Sequence, residues 1–93
     1  MKVNICGIPY TILSCQDQFD TESHFGMIDH LDCKIVVNEK LNGQNRSETI
    51  CHEILHGILI HIGKNELSQD EEFVQCLANA INQSFSIKMA DDE

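Results

Sequence analysis

The residues best equipped for chemistry lie close together in the segment His52-Glu53-Ile54-Leu55-His56. In an α-helix each residue advances about 100°, so the two histidines sit only about 40° apart, one turn above the other, and both imidazoles can reach one ion. Neutral imidazole nitrogens bind zinc at about 2.0–2.1 Å, and a hydrolytic zinc centre uses three protein ligands with water in the remaining position. Glu53, next to His52, is then placed to take a proton from that water rather than to bind the metal. Histidines at this spacing also occur as ordinary surface residues. Here the pattern falls in a strongly periodic segment whose other face is apolar and which follows a strand-like run, and that context favours the metal reading.

A third ligand must come from elsewhere in the chain. His61 lies about 140° round the helix from His56 and so points away from the ion. The acids that open the next periodic segment are better placed. If Val74, Leu77, Ala78, Ile81 and Phe85 face inward, Glu71 lies about 60° from the centre of that face, Asp70 about 40° away on the other flank, and Glu72 about 160° away. Glu71 is the choice, with Asp70 and Glu72 as alternatives. The competing role for all three is solvation of a helix N-terminus and its dipole.

The elements that must position these groups change period halfway along the chain. Residues 3–6, 10–15, 25–29 and 33–39 read as short strands, the last strengthened by Ile35, Val36 and Val37, and residues 17–24 (DQFDTESH) read as a polar loop. From about residue 45 to 62, Cys51, Leu55, Ile58, Leu59 and Ile62 recur at helical spacing, and Gly63 supplies a stop. A second helix follows, with Ser68 as its expected N-cap. The expected architecture is α+β: a small antiparallel β-sheet packed against two main α-helices, in one domain over residues 1–87, with 88–93 as a flexible acidic tail.

Composition narrows the function further. A formal charge of −9, with six basic residues against fifteen acidic, makes the average surface repel phosphate backbones and argues against nucleic-acid binding. The apolar runs are too short for a membrane span and the first residues lack the pattern of a secretory signal, so a cytoplasmic location is expected. The five cysteines show no tight metal-ligand spacing and their number is odd, which fits reduced thiols. Cys51 and Cys76, flanked by apolar residues, read as small core hydrophobes.

Taken with the hairpin-like stretch Phe25–Asp29 and Ile35–Val37 and the helix start EEFVQCLANAI, the HEILH segment resembles the zincin metallopeptidases of gluzincin type, in particular the short phage and prophage proteins grouped with ImmA/IrrE-type metallopeptidases. The resemblance covers roughly residues 25–85. It implies a minimal zincin-like fold in which the strand before the motif helix lies beside the substrate. It also implies Zn2+ held by His52, His56 and Glu71, with Glu53 as general base for hydrolysis of a peptide bond in a peptide or protein substrate, in a bacterial or phage-infected cell. The alternative is a catalytically inactive, metal-stabilised protein-binding module. For stabilising an oxyanion, Tyr10, His24, His30 and His61 have suitable chemistry, and their spacing selects none of them.

Overall fold

The computed structural model describes residues 1–15 and 25–89 as a small α+β domain. Four strands, β1 (Lys2–Ile5), β2 (Ile8–Cys15), β3 (Gly26–Asp29) and β4 (Lys34–Asn38), precede three helices, α1 (Gly43–His61), the single turn α2 (Asn65–Ser68) and α3 (Glu71–Ser84). The expected polar loop at 17–24, His24 within it, and the terminal residues 90–93 lie outside the described residues. Met89, the second residue of the segment expected as a tail, still packs against the core.

The sheet corrects the antiparallel expectation. Its order is β1-β2-β4-β3; the outer pairs are antiparallel, but β2 and β4 run parallel, with Ile12 opposite Ile35 and Ser14 opposite Val37. The reason lies in β4. A strand with a continuous apolar run is best covered on both faces, which selects the interior of the sheet. β4 takes that place, with Ile35 to Asn38 all buried. The chain therefore leaves β2, returns as edge strand β3, and turns back to insert β4 between them. Asp29 secures this turn by accepting from the backbone N–H groups of Leu31 and Asp32 through its Oδ1.

Helix α1 is buried on two sides. Ile50 and Ile54 pack with Val3, Ile5, Tyr10, Ile12, Ile35 and Val37 of the sheet, while Cys51, Leu55 and Leu59 pack with Val74 and Ala78 of α3. The two stripes lie roughly 100° apart round the helix. Gly57 permits the close approach to the sheet, since a Cβ there would stand 3.0 Å from Ile28 Cδ1 and 3.2 Å from Ile5 Cδ1.

The helix ends as the sequence reading expects. Gly63 adopts a left-handed φ of 82°, its N–H bonds the Ile60 carbonyl, and the Lys64 N–H bonds the Leu59 carbonyl. This pair of bonds satisfies the last carbonyls of the helix. The next cap differs from expectation. Asp70, not Ser68, caps α3, its carboxylate accepting from the Phe73 N–H at 3.1 Å. Two expected core positions also face out: Phe85 is 71% exposed beyond the end of α3, and Cys76 is exposed, whereas Cys51 is buried. All five cysteines are free thiols.

Gly57→Val should cost about 2 kcal/mol or more in urea unfolding, because branching at this position overpacks Ile5 and Ile28. Unchanged stability would mean that the helix can ride further from the sheet than its contacts indicate.

Candidate metal centre

The stripe of α1 left uncovered by both the sheet and α3 carries His52 and His56. Their Nε2 atoms stand 3.1 Å apart, and the rings meet edge to face. Glu71, the first residue of α3, bridges them from above: its Oε1 is 3.1 Å from His52 Nε2 and its Oε2 is 3.4 Å from His56 Nε2. Atoms bound at about 2.0–2.1 Å to a tetrahedral ion are separated by about 3.3 Å, close to the 3.1 Å between the two imidazole nitrogens, while with one ligand atom from each residue all three lie within 4.8 Å of one another. The group formed by His52, His56 and Glu71 could hold a metal ion. The carboxylate side is open to solvent, with the Glu71 side chain 69% exposed, while both histidines are mostly covered.

The other two acids do not join them among the described residues. Asp70 is committed to its cap. Glu72 is exposed in the first turn of α3, on the flank away from the buried stripe. The helix start that Asp70 nucleates is thus what points Glu71 at the histidine pair.

Glu53 lies roughly 80° round α1 from the histidines, toward the sheet. It is 8% exposed and helps to line a cleft of about 610 Å³ shared with His52, His56 and Glu71. Strand β3 and the residue before it form the opposite wall through Phe25, Gly26 and Met27, with Thr49 on the helix side. Gly26 sets the closeness of these walls: a Cβ there would fall 2.8 Å from the Thr49 methyl, 3.2 Å from the Val36 carbonyl oxygen and 3.5 Å from Glu53 Cγ. Burial pushes the Glu53 carboxyl up from its usual 4.5 to about 7, and the charge of Glu71 adds to the effect. Such a group can exchange a proton near neutral pH.

The bonding around the two histidines is unequal. His56 Nδ1 stands 3.1 Å from Ser68 Oγ, at the end of α2, whereas His52 Nδ1 is buried with no partner. The sequence reading missed Ser68 in this role, along with Phe25, Gly26, Met27 and Thr49. Ser68 reads locally as a cap, and cleft walls formed from different elements leave no spacing signal.

Three of the residues considered for oxyanion stabilisation form a separate cluster outside the cleft. Tyr10, fully buried on β2, places its hydroxyl 2.8 Å from His61 Nε2 and 3.3 Å from His30 Nδ1. A phenol has one proton, so it donates to one ring and accepts from the other. Burial raises the Tyr10 pKa and lowers that of His30, which favours the neutral form of both groups. It ties the end of α1 to the sheet and to the β3–β4 turn.

No protein-family model, curated protein or solved structure matches this chain. Among the described residues, no helix is long and apolar enough to cross a membrane.

Because the folded state holds the Glu53 proton more tightly than the unfolded chain does, the stability linked to this group is fully present below about pH 4.5. It is lost as pH rises toward about 7. In chelator, Glu53→Gln should therefore be more stable than wild type at pH 8 by roughly 1–3 kcal/mol and lose that advantage at pH 4.5, as read by urea unfolding. A pH-independent difference would show that Glu53 carries no such burden. Tyr10→Phe should cost about 1–3 kcal/mol by leaving two imidazole nitrogens against an apolar edge. Its metal content should be unchanged on elemental analysis.

Proposed function

We propose that the protein is a zinc-dependent metallopeptidase on a minimal zincin-like fold, of the gluzincin type that its HEILH segment resembles. The observation that carries this reading is the convergence of His52, His56 and Glu71, whose ligand atoms lie within 4.8 Å of one another, with a buried carboxyl beside them on the cleft wall. Imidazole, imidazole and carboxylate form the ligand set of hydrolytic zinc sites. Bound there, zinc would polarise a peptide carbonyl and acidify a water molecule.

The chain's own groups divide the remaining work. Glu53 takes the proton of the attacking water, holds it in a site where the neutral carboxyl is favoured, and returns it to the leaving amine. Glu71, exposed at the mouth, supplies the negative charge that complements a cation. β3 is an edge strand of the sheet, and an extended peptide can pair with its outer side while apolar side chains meet Phe25 and Met27. The strand beside the substrate is then β3 and not β4, which immediately precedes the motif helix but lies inside the sheet. A peptide or protein is accordingly the proposed substrate, and the acidic surface makes nucleic acid an unfavourable one. A cytoplasmic setting, in a bacterium or a phage-infected cell, belongs to the same reading.

One observation favours a metal-stabilised binding module instead. His30 and His61 each bond the Tyr10 hydroxyl outside the cleft, so among the described lining residues Thr49 offers the uncharged hydroxyl, and no phenol, and no histidine beyond the two candidate ligands, is at hand for an oxyanion.

The two readings separate in one set of measurements. After chelation and zinc resupply, elemental analysis should find a single zinc ion per chain, lost in His56→Ala and Glu71→Ala. Glu53→Gln should retain zinc and lose about 10²- to 10⁴-fold in peptide turnover. Zinc retained with no cleavage of a diverse peptide library would leave the binding module standing and remove the peptidase.

A further inference from the structure

Ser68 is 5% exposed, and its hydroxyl faces two acceptor-capable groups of one residue: His56 Nδ1 at 3.1 Å and the His56 backbone carbonyl at 3.4 Å. A hydroxyl carries one proton and can also accept, whereas a carbonyl only accepts. Two proton arrangements are therefore available. In the first, Ser68 donates to the carbonyl, His56 Nδ1–H donates to Ser68, and His56 Nε2 is left bare. In the second, Ser68 donates to Nδ1, and the proton of His56 sits on Nε2.

The surrounding distances discriminate between them. In the first arrangement His52 Nε2–H donates to His56 Nε2 and to Glu71 Oε1, each at 3.1 Å, and the acceptor-to-acceptor contact falls on the 3.4 Å pair of His56 Nε2 and Glu71 Oε2. In the second, either two acceptors, His52 Nε2 and Glu71 Oε1, face each other at the shorter 3.1 Å, or, with the His52 proton on Nε2, two N–H donors face each other at 3.1 Å. The buried, partnerless His52 Nδ1 points the same way. The first arrangement leaves it as a bare acceptor, whereas the form of the second that avoids facing N–H donors leaves it as an orphaned N–H, the rarer and costlier defect.

We propose that Ser68 is a positioning residue that holds His56 in the Nδ1–H tautomer, so that its Nε2 lone pair is already directed at the ion position before any metal arrives. This rests on the reading of His56 as a ligand. It adds that the two histidines are inequivalent: His56 is pre-set, whereas His52 must move its proton from Nε2 to Nδ1 when a cation enters. An orienting partner of this kind raises metal affinity by about 10- to 100-fold.

The test has a readout that requires no metal. Long-range ¹H–¹⁵N correlation spectra of the metal-free wild-type protein should show His56 as the Nδ1–H tautomer. Ser68→Ala should return it toward the Nε2–H form and weaken zinc, measured by competition with a chromophoric chelator, by about 10- to 100-fold. Ser68→Thr, which keeps the hydroxyl, should restore both. A wild-type His56 in the Nε2–H form overturns the proposal whatever the variants do. A shifted tautomer with unchanged zinc affinity also overturns it. A wild-type chain with His56 as Nδ1–H that binds no zinc would instead remove the metal reading on which the proposal rests.

Discussion

Helix α1 is pressed from two directions at once, and the site follows from what that leaves over. One stripe, Ile50 and Ile54, sinks into the sheet, and the next, Cys51, Leu55 and Leu59, meets α3. Both contacts are apolar, and together they account for most of the core that a chain of this length can assemble. The strip that remains is narrow, and it holds His52 and His56. Because the helix cannot rotate without exposing one stripe or the other, the histidine pair is aimed by hydrophobic packing elsewhere on the same helix. Gly57 makes that packing close on the sheet side, and Gly26 lets β3 come down against Thr49 and Glu53.

Glu53 is the term that opposes this economy. A carboxyl at the boundary between cleft and sheet loses hydration, and the result is an acid whose neutral form is favoured up to about pH 7. His52 Nδ1, buried without a partner, is a second local defect on the same face. Departures from good packing chemistry concentrate at sites kept for a purpose other than stability. The Tyr10, His30 and His61 cluster is the contrasting case, since its polar atoms satisfy one another and it reads as a tie between elements.

The link from α1 to α3 is short, and three of its residues, Gly63, Ser68 and Asp70, fix its path. The Gly63 turn closes α1, a single turn of α2 brings Ser68 back over His56, and Asp70 caps α3 so that Glu71 opens the helix facing the histidines. Glu71 is therefore positioned by a turn and a cap, both local structures, acting across a tertiary contact between α1 and α3.

Local periodicity determined what belongs to a single element. The 40° offset of His52 and His56, the separation of His61 from them, the stop at Gly63 and the flank on which Glu71 stands all follow from helical geometry, which the chain carries in its own spacing. The alternation and apolar runs likewise marked the four strands. Interactions between elements needed the tertiary structure. The parallel pairing of β2 with β4 arises because the most apolar strand seeks the interior, a choice made among strands and not within one. Asp70 displaced Ser68 as the cap because Ser68 was engaged by a side chain twelve residues away. Cys76 turned outward because α3 buries a stripe narrower than its apolar residues would allow, with Val74 and Ala78 at its centre, and Phe85 because it lies in extended backbone beyond the end of that helix. Packing, hydrogen-bond competition and burial are properties of surfaces brought together, and no spacing along one segment encodes which surface it will meet.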